Sequence, residues 1–102
     1  MFGFLKKLFG PGTDYKALVE QGAIIVDVRS AGEFKGGHIK NALNIPVDNI
    51  SSKAKELKAK GKPVITCCAS GMRSARAAAI LKQNGMEAYN GGSWVSLNSR
   101  LN

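Results

Sequence analysis

The chain is short of acid. Seven Asp and Glu stand against fifteen Lys and Arg, a formal charge of +8 over 102 residues. That excess favours anionic partners without choosing one, and a basic surface kept for solubility explains it equally well. Cysteine is scarce too: Cys67 and Cys68 are the only two, and they are neighbours. Adjacent Cα atoms across a trans peptide sit roughly 3.8 Å apart, so a bridge between them is strained and no disulfide framework can form. Reduced thiols in a reducing compartment, the cytoplasm, are the expectation. One histidine, His38, and no Cys-x-x-Cys pair leave no familiar zinc spacing, so no metal is expected. No apolar run approaches the roughly 20 residues of a transmembrane helix. The basic residues come singly or in pairs, never interleaved with aromatics as a nucleic-acid stacking platform requires, so nucleic acid is not expected as a partner.

What is present suits one globular domain, with a separate segment ahead of it. In Met1–Gly10 a helical reading puts Phe2, Leu5 and Phe9 on one face with Met1 and Leu8, and Lys6 and Lys7 off it. Contact of residues 1–10 with a membrane surface is one reading. Docking on the domain or a partner, or plain flexibility, is favoured, because Gly3 weakens the helix. Gly10-Pro11-Gly12 ends the segment, leaving 1–12 as an amphipathic or flexible N-terminal segment and 13–102 as the domain.

Within that domain Thr13 or Asp14 caps a short helix running to Gln21 and closed by Gly22. Ala23–Val28 is a β-branched run expected to form a strand buried on both faces. Ala31–Gly36 gives one or two helical turns, and Ala42–Ile45 a short strand ended by Pro46. Asp48–Lys60 reads as a mostly exposed helix, and Pro63–Cys67 as another buried strand. Arg73–Asn84 is an alanine-rich helix stopped by Gly85. Met86–Asn90 is a last strand, and Ser93–Leu101 a closing helix. Alternating strands and helices predict an α/β layered fold, helices flanking a mainly parallel sheet, whose ligands sit beyond the carboxyl ends of the strands.

One such end carries chemistry. Val64 to Ser74 runs from a buried strand straight into a helix through Cys68-Ala69-Ser70-Gly71-Met72-Arg73. A tight loop there turns successive N–H groups inward, making an anion cradle. A cysteine at its base feels those dipoles and the Arg73 guanidinium, and both favour thiolate over thiol. Gly71 suits the turn because it accepts positive φ and lets amides approach a ligand.

Cysteine, glycine three later, arginine five later, then Ser74, resembles the active loop of the rhodanese family. A second region agrees: Asp27-Val28-Arg29, Glu33-Phe34, Gly37-His38-Ile39, Ala42 and Asn44-Ile45-Pro46. Leu81, Gly85, Asn90-Gly91-Gly92 and Trp94 extend the likeness across roughly residues 13 to 102. The resemblance implies a three-layer rhodanese-like fold and a sulfurtransferase that works without a cofactor. In that reading Cys68 takes a sulfane sulfur from a small anionic donor such as thiosulfate, holds it as a persulfide, and gives it to cyanide, a thiol or a protein thiol. The backbone from Ala69 through Ser70, Gly71, Met72 and Arg73, with Ser74, cradles the persulfide. Arg73 binds the oxyanion of the donor, and Arg76 assists. Asp27, Arg29, Glu33 and His38 hold strands and loops together, with Arg29 and Glu33 expected to pair at i,i+4. Trp94 is an aromatic lid over the core or a wall of the pocket.

Three rivals stand beside this. Counted from Cys67, Arg73 falls six later, and Cys67-x5-Arg73 meets the spacing of cysteine phosphatases and arsenate reductases. In the His-Cys-x-x-Gly type, however, glycine lies three after the nucleophile, which selects Cys68, and Thr66 stands where that type has histidine. Cys67 then faces away from Thr66 and Cys68 by strand alternation and packs as a small hydrophobe. A non-catalytic binding module lacks the nucleophile that is present here. A carrier relaying persulfide between proteins uses the same chemistry and stays open.

Overall fold

A computed structural model describes residues 12–102, so the expectation of membrane or docking contact for residues 1–10 lies outside the described residues. The chain folds in the order α1 (Tyr15–Glu20), β1 (Ile24–Asp27), α2 (Ala31–Lys35), β2 (Leu43–Asn44), a 3₁₀ turn (Val47–Asn49), α3 (Ile50–Ala59), β3 (Val64–Cys68), α4 (Met72–Gln83), β4 (Ala88–Ser93) and α5 (Trp94–Leu101). The four strands form one sheet in the order β2-β1-β3-β4, every neighbour parallel. It is the α/β layered sheet expected from the alternation. Among the described residues no helix is long and apolar enough to cross a membrane.

The period of two along each strand sorts side chains onto two cores. Val26, Val28, Val64 and Cys68 pack on one face with Ile50, Ala54 and Leu57 of α3 and Ala77, Ala78 and Leu81 of α4. Ile25, Ile65, Cys67 and Tyr89 pack on the other with Tyr15 of α1, Ile39 and Leu97 of α5. Both faces of β1 and β3 are covered, which is why their sequences run apolar without alternating.

Several boundaries differ from the sequence reading. The helix expected from Asp48 opens as a 3₁₀ turn and becomes α-helical only at Ile50, the first residue it buries. Strand β3 runs one residue further, through Cys68, because Cys68 pairs with Ser93 across an irregularity in the β3–β4 register. Strand β4 is shifted to Ala88–Ser93 and takes in the Gly91-Gly92 pair. A Cβ on Gly91 would lie 2.9 Å from Ile65 Cγ2, Leu97 Cδ2 and the Thr66 carbonyl oxygen. Glycine is therefore what lets β4 approach β3 and α5 that closely.

Candidate active site

At the carboxyl end of β3 the chain turns through Ala69 and Ser70, both exposed, into Gly71. Gly71 is the residue before α4 and has φ of +101°, a conformation open to glycine and strained for others. This turn brings its N–H to 3.0 Å from Cys68 Sγ. The Ser74 N–H lies 3.4 Å from the same sulfur, and so does the Ser74 hydroxyl oxygen. Burial alone would raise the Cys68 thiol, but the Ser74 hydroxyl and the amides of Ser74, Gly71 and Ser70 outweigh it and bring it below its ordinary value. The sulfur is therefore surrounded by donors at the start of a helix, where negative charge is stabilised.

Arg73 interacts electrostatically with Cys68, as expected, but its hydrogen bonds go elsewhere. Its guanidinium does not close on the sulfur but forms a two-pronged pair with Glu33, Nη1 to Oε1 at 2.7 Å and Nη2 to Oε2 at 3.0 Å. Fork and carboxylate match in shape, so the partner with two oxygens takes the arginine. The hydrogen bonds that lower the Cys68 thiol come from the main chain and a hydroxyl. Met72, in the first turn of α4, is 79% exposed at the rim. Arg76 reaches Asp48 at 3.6 Å, with both side chains largely in solvent.

The Arg29–Glu33 ion pair expected at i,i+4 is not formed. Arg29 instead grips Asp27, Nε to both carboxylate oxygens (3.0 and 3.1 Å) and Nη2 to Oδ2 at 2.7 Å. It also donates to the carbonyls of Glu33 and Gly37, and its guanidinium carbon lies 4.9 Å from the centre of the Trp94 ring. Asp27 is wholly buried and Arg29 nearly so, and a buried carboxylate needs its countercharge beside it. The Glu33 carboxylate is turned the other way, closing the capping box of α2 with Ser30. Arg73, with that cap, holds Glu33 down at about 2. Trp94 packs against the second core, as expected of an aromatic lid, and also covers the Arg29 guanidinium. Asn44 donates to the carbonyls of Asp27 and Arg29, closing the end of β1. His38 stacks on Phe34 at 3.7 Å, with Nδ1 2.8 Å from the Phe34 carbonyl, and so stays with the scaffold of α2.

Cys67 points into the opposite core and is fully buried. Burial, with the Asp27 charge adding to it, pushes its thiol up to about 12. Two further groups have contacts that the sequence reading did not assign. Thr66 donates its hydroxyl to the Ser74 carbonyl at 2.7 Å, tying β3 to the first turn of α4. The Asn90 side chain takes the Ser74 hydroxyl proton at 2.6 Å and donates to the Gly71 carbonyl at 3.2 Å. Alternation along β4 places residue 90 beside Thr66, but nothing local to Asn90 signals the contact with Ser74.

This geometry agrees with the comparisons to known proteins. The Rhodanese-like domain family matches residues 12–96, and the chain belongs to that family. Its relatives include YqhL of Bacillus subtilis, 44% identical over 69 residues, and a tRNA sulfurtransferase of Thermoplasma acidophilum, 31% identical over 74 residues. These matches take in 67% and 72% of the chain, and 54% and 15% of the two relatives, so the chain spans about half the length of the first and a small part of the second. Among solved structures, a rhodanese-related protein of Thermoplasma volcanium is similar with a TM-score of 0.68 and 32% identity, covering 82% of this chain and 88% of that one. The fold and the family support a place among sulfur-transfer proteins; donor and acceptor are a separate matter.

Proposed function

We propose that the protein is a sulfurtransferase that carries sulfane sulfur as a persulfide on Cys68. The observation that carries this reading is the pair of main-chain donors on one sulfur, the Gly71 N–H at 3.0 Å and the Ser74 N–H at 3.4 Å, with the Ser74 hydroxyl beside it at the first turn of α4. In the first half-reaction the Cys68 thiolate attacks the outer sulfur of a small anionic donor such as thiosulfate. A bond forms from Sγ to that sulfur, and the bond to the rest of the donor breaks, with sulfite leaving on the electron pair. In the second, cyanide, a thiolate or a protein thiol attacks the terminal sulfur, and Cys68 departs as thiolate. No general base is required when the thiolate is formed beforehand. The amides that favour the thiolate also favour the terminal sulfur of a persulfide, which is anionic in turn. A reducing compartment such as the cytoplasm suits two free thiols.

The rival with Cys67 as a phosphatase nucleophile is disfavoured by its burial in the other core and its raised thiol. The experiment that separates the two is an activity assay on both cysteine variants. Thiocyanate formation from thiosulfate and cyanide is expected to persist in Cys67→Ser and vanish in Cys68→Ser, with parallel double-reciprocal lines typical of a ping-pong path. Aryl phosphate hydrolysis dependent on Cys67 would overturn the proposal.

A further inference from the structure

Ser74 is fully buried and its hydroxyl has one proton, yet two groups stand beside it. Cys68 Sγ lies 3.4 Å from Ser74 Oγ, and Asn90 Oδ1 lies 2.6 Å from it on β4. The Asn90 amide is not free to turn. Its Oδ1 also accepts the Gly92 N–H at 3.0 Å, and its Nδ2 donates to the Gly71 carbonyl at 3.2 Å. A flipped amide would set N–H against N–H at Gly92 and oxygen against oxygen at Gly71. Oδ1 therefore faces Ser74 as an acceptor and claims the hydroxyl proton. Ser74 is then left showing a lone pair to Cys68, which suits an S–H donor and repels a thiolate. For the hydroxyl to donate to a thiolate, it must swing away from Asn90.

We propose that Asn90 is a positioning residue that competes with Cys68 for the Ser74 hydroxyl proton and so restrains ionisation of the reactive thiol. The inference rests on the reading of Cys68 as the nucleophile and adds a control to it. Asn90 acts only through Ser74; it does not touch the sulfur. The Gly71 and Ser74 amides still favour the thiolate; Asn90 sets a cost on reaching it, because the hydroxyl turns to the sulfur only by giving up its bond to Oδ1. The Gly71 and Ser74 amides keep their places throughout, so the change is a single hydroxyl rotation. The charges around the loop are held in pairs, Arg73 with Glu33, Arg29 with Asp27 and Arg76 with Asp48; Arg73 and the neighbouring Cys67 thiol also act on Cys68, and neither is altered by a substitution at Asn90. Strand β4 carries no charged side chain. The residues sharing the core with Cys68 from β1, α3 and α4, among them Val26, Ile50, Ala54 and Ala77, are apolar.

The test follows alkylation of Cys68 by iodoacetamide in the full-length chain against pH, assigned to that residue by tandem mass spectrometry. Asn90→Ala and Asn90→Leu free the hydroxyl, and each is expected to lower the midpoint by about one pH unit, the size of one hydrogen bond gained by a thiolate. Ser74→Ala is expected to raise it. In the Ser74→Ala background, either Asn90 substitution is expected to change nothing further. Asn90 is itself exposed, so neither variant opens the core. A midpoint that stays put or rises in the Asn90 variants overturns the inference, and so does an equal shift with and without the Ser74 hydroxyl. Sulfur uptake measured on the same samples tells the two readings apart, since loss of uptake in the wild type would sink the persulfide reading whatever the midpoints show.

Discussion

Arg73 and Glu33, forty residues apart in the chain, meet in a two-pronged ion pair with distances of 2.7 and 3.0 Å. The pair joins the end of the Cys68 loop to helix α2, and it occupies the guanidinium that a donor oxyanion would use. Both side chains are 39% exposed, so an incoming anion competes with Glu33 in water, where such pairs are weak. Glu33→Gln keeps the length of the side chain and removes its charge. It is expected to lower KM for thiosulfate severalfold with little change in kcat, as a freed arginine would. An unchanged or raised KM would show that Arg73 does not meet the donor.

The same carboxylate gives an acid signature. Its folded value of about 2 lies below its ordinary 4.5, so its contribution to stability is present above about 4.5 and is lost as pH falls toward 2. Urea midpoints measured between those pH values are expected to fall more steeply in the wild type than in Glu33→Gln.

Gly71→Ala tests the loop directly. The new side chain would sit at φ of +101° and place a Cβ 3.3 Å from the Gly92 Cα. Backbone strain of this kind costs about 1–3 kcal/mol, and the simplest relief turns the Gly71 N–H away from the sulfur. A urea titration should show the destabilisation, and the alkylation midpoint of Cys68 should rise by about one to two pH units with one donor lost. A midpoint equal to that of the wild type would mean that the amide contributes nothing to the thiolate.

Asp27→Asn examines the buried scaffold beneath the site. It leaves the Arg29 guanidinium, nearly buried itself, without its countercharge. Breaking such a pair from one side costs about 3–5 kcal/mol. Chemical denaturation is expected to show a loss of that size with an unchanged m-value. A loss below about 1 kcal/mol, the range of exposed pairs, would contradict the buried pairing.

These residues also mark what the sequence could and could not disclose. Cys68, Gly71 and Ser74 lie within seven consecutive residues, so their convergence is a property of one strand-to-helix turn and was legible from spacing. The burial of both faces of the central strands was legible as well, because the mainly apolar runs Ala23–Val28 and Pro63–Cys67 suit a parallel sheet covered on both sides. The partners of Arg29 and Arg73 were not. The i,i+4 rule nominated Glu33 for Arg29, but Asp27 is the carboxylate buried beside it, and Glu33 answers to a residue forty positions away. The extent of β4 was missed for a related reason: Gly91-Gly92 looks like a strand breaker until the Thr66 carbonyl is seen against it. Asn90 bonds Ser74 and Gly71 only once β4 lies beside β3, a relationship between distant segments that local pattern does not carry.

The sharpest test of the account is intact-mass analysis of the full-length chain after incubation with thiosulfate and removal of excess donor. Wild type and Cys67→Ser are expected to gain the mass of one sulfur atom, released again by cyanide, and Cys68→Ser to gain none. Sulfur retained by Cys68→Ser, or no gain in the wild type with any sulfane donor, would contradict the claim that Cys68 carries it.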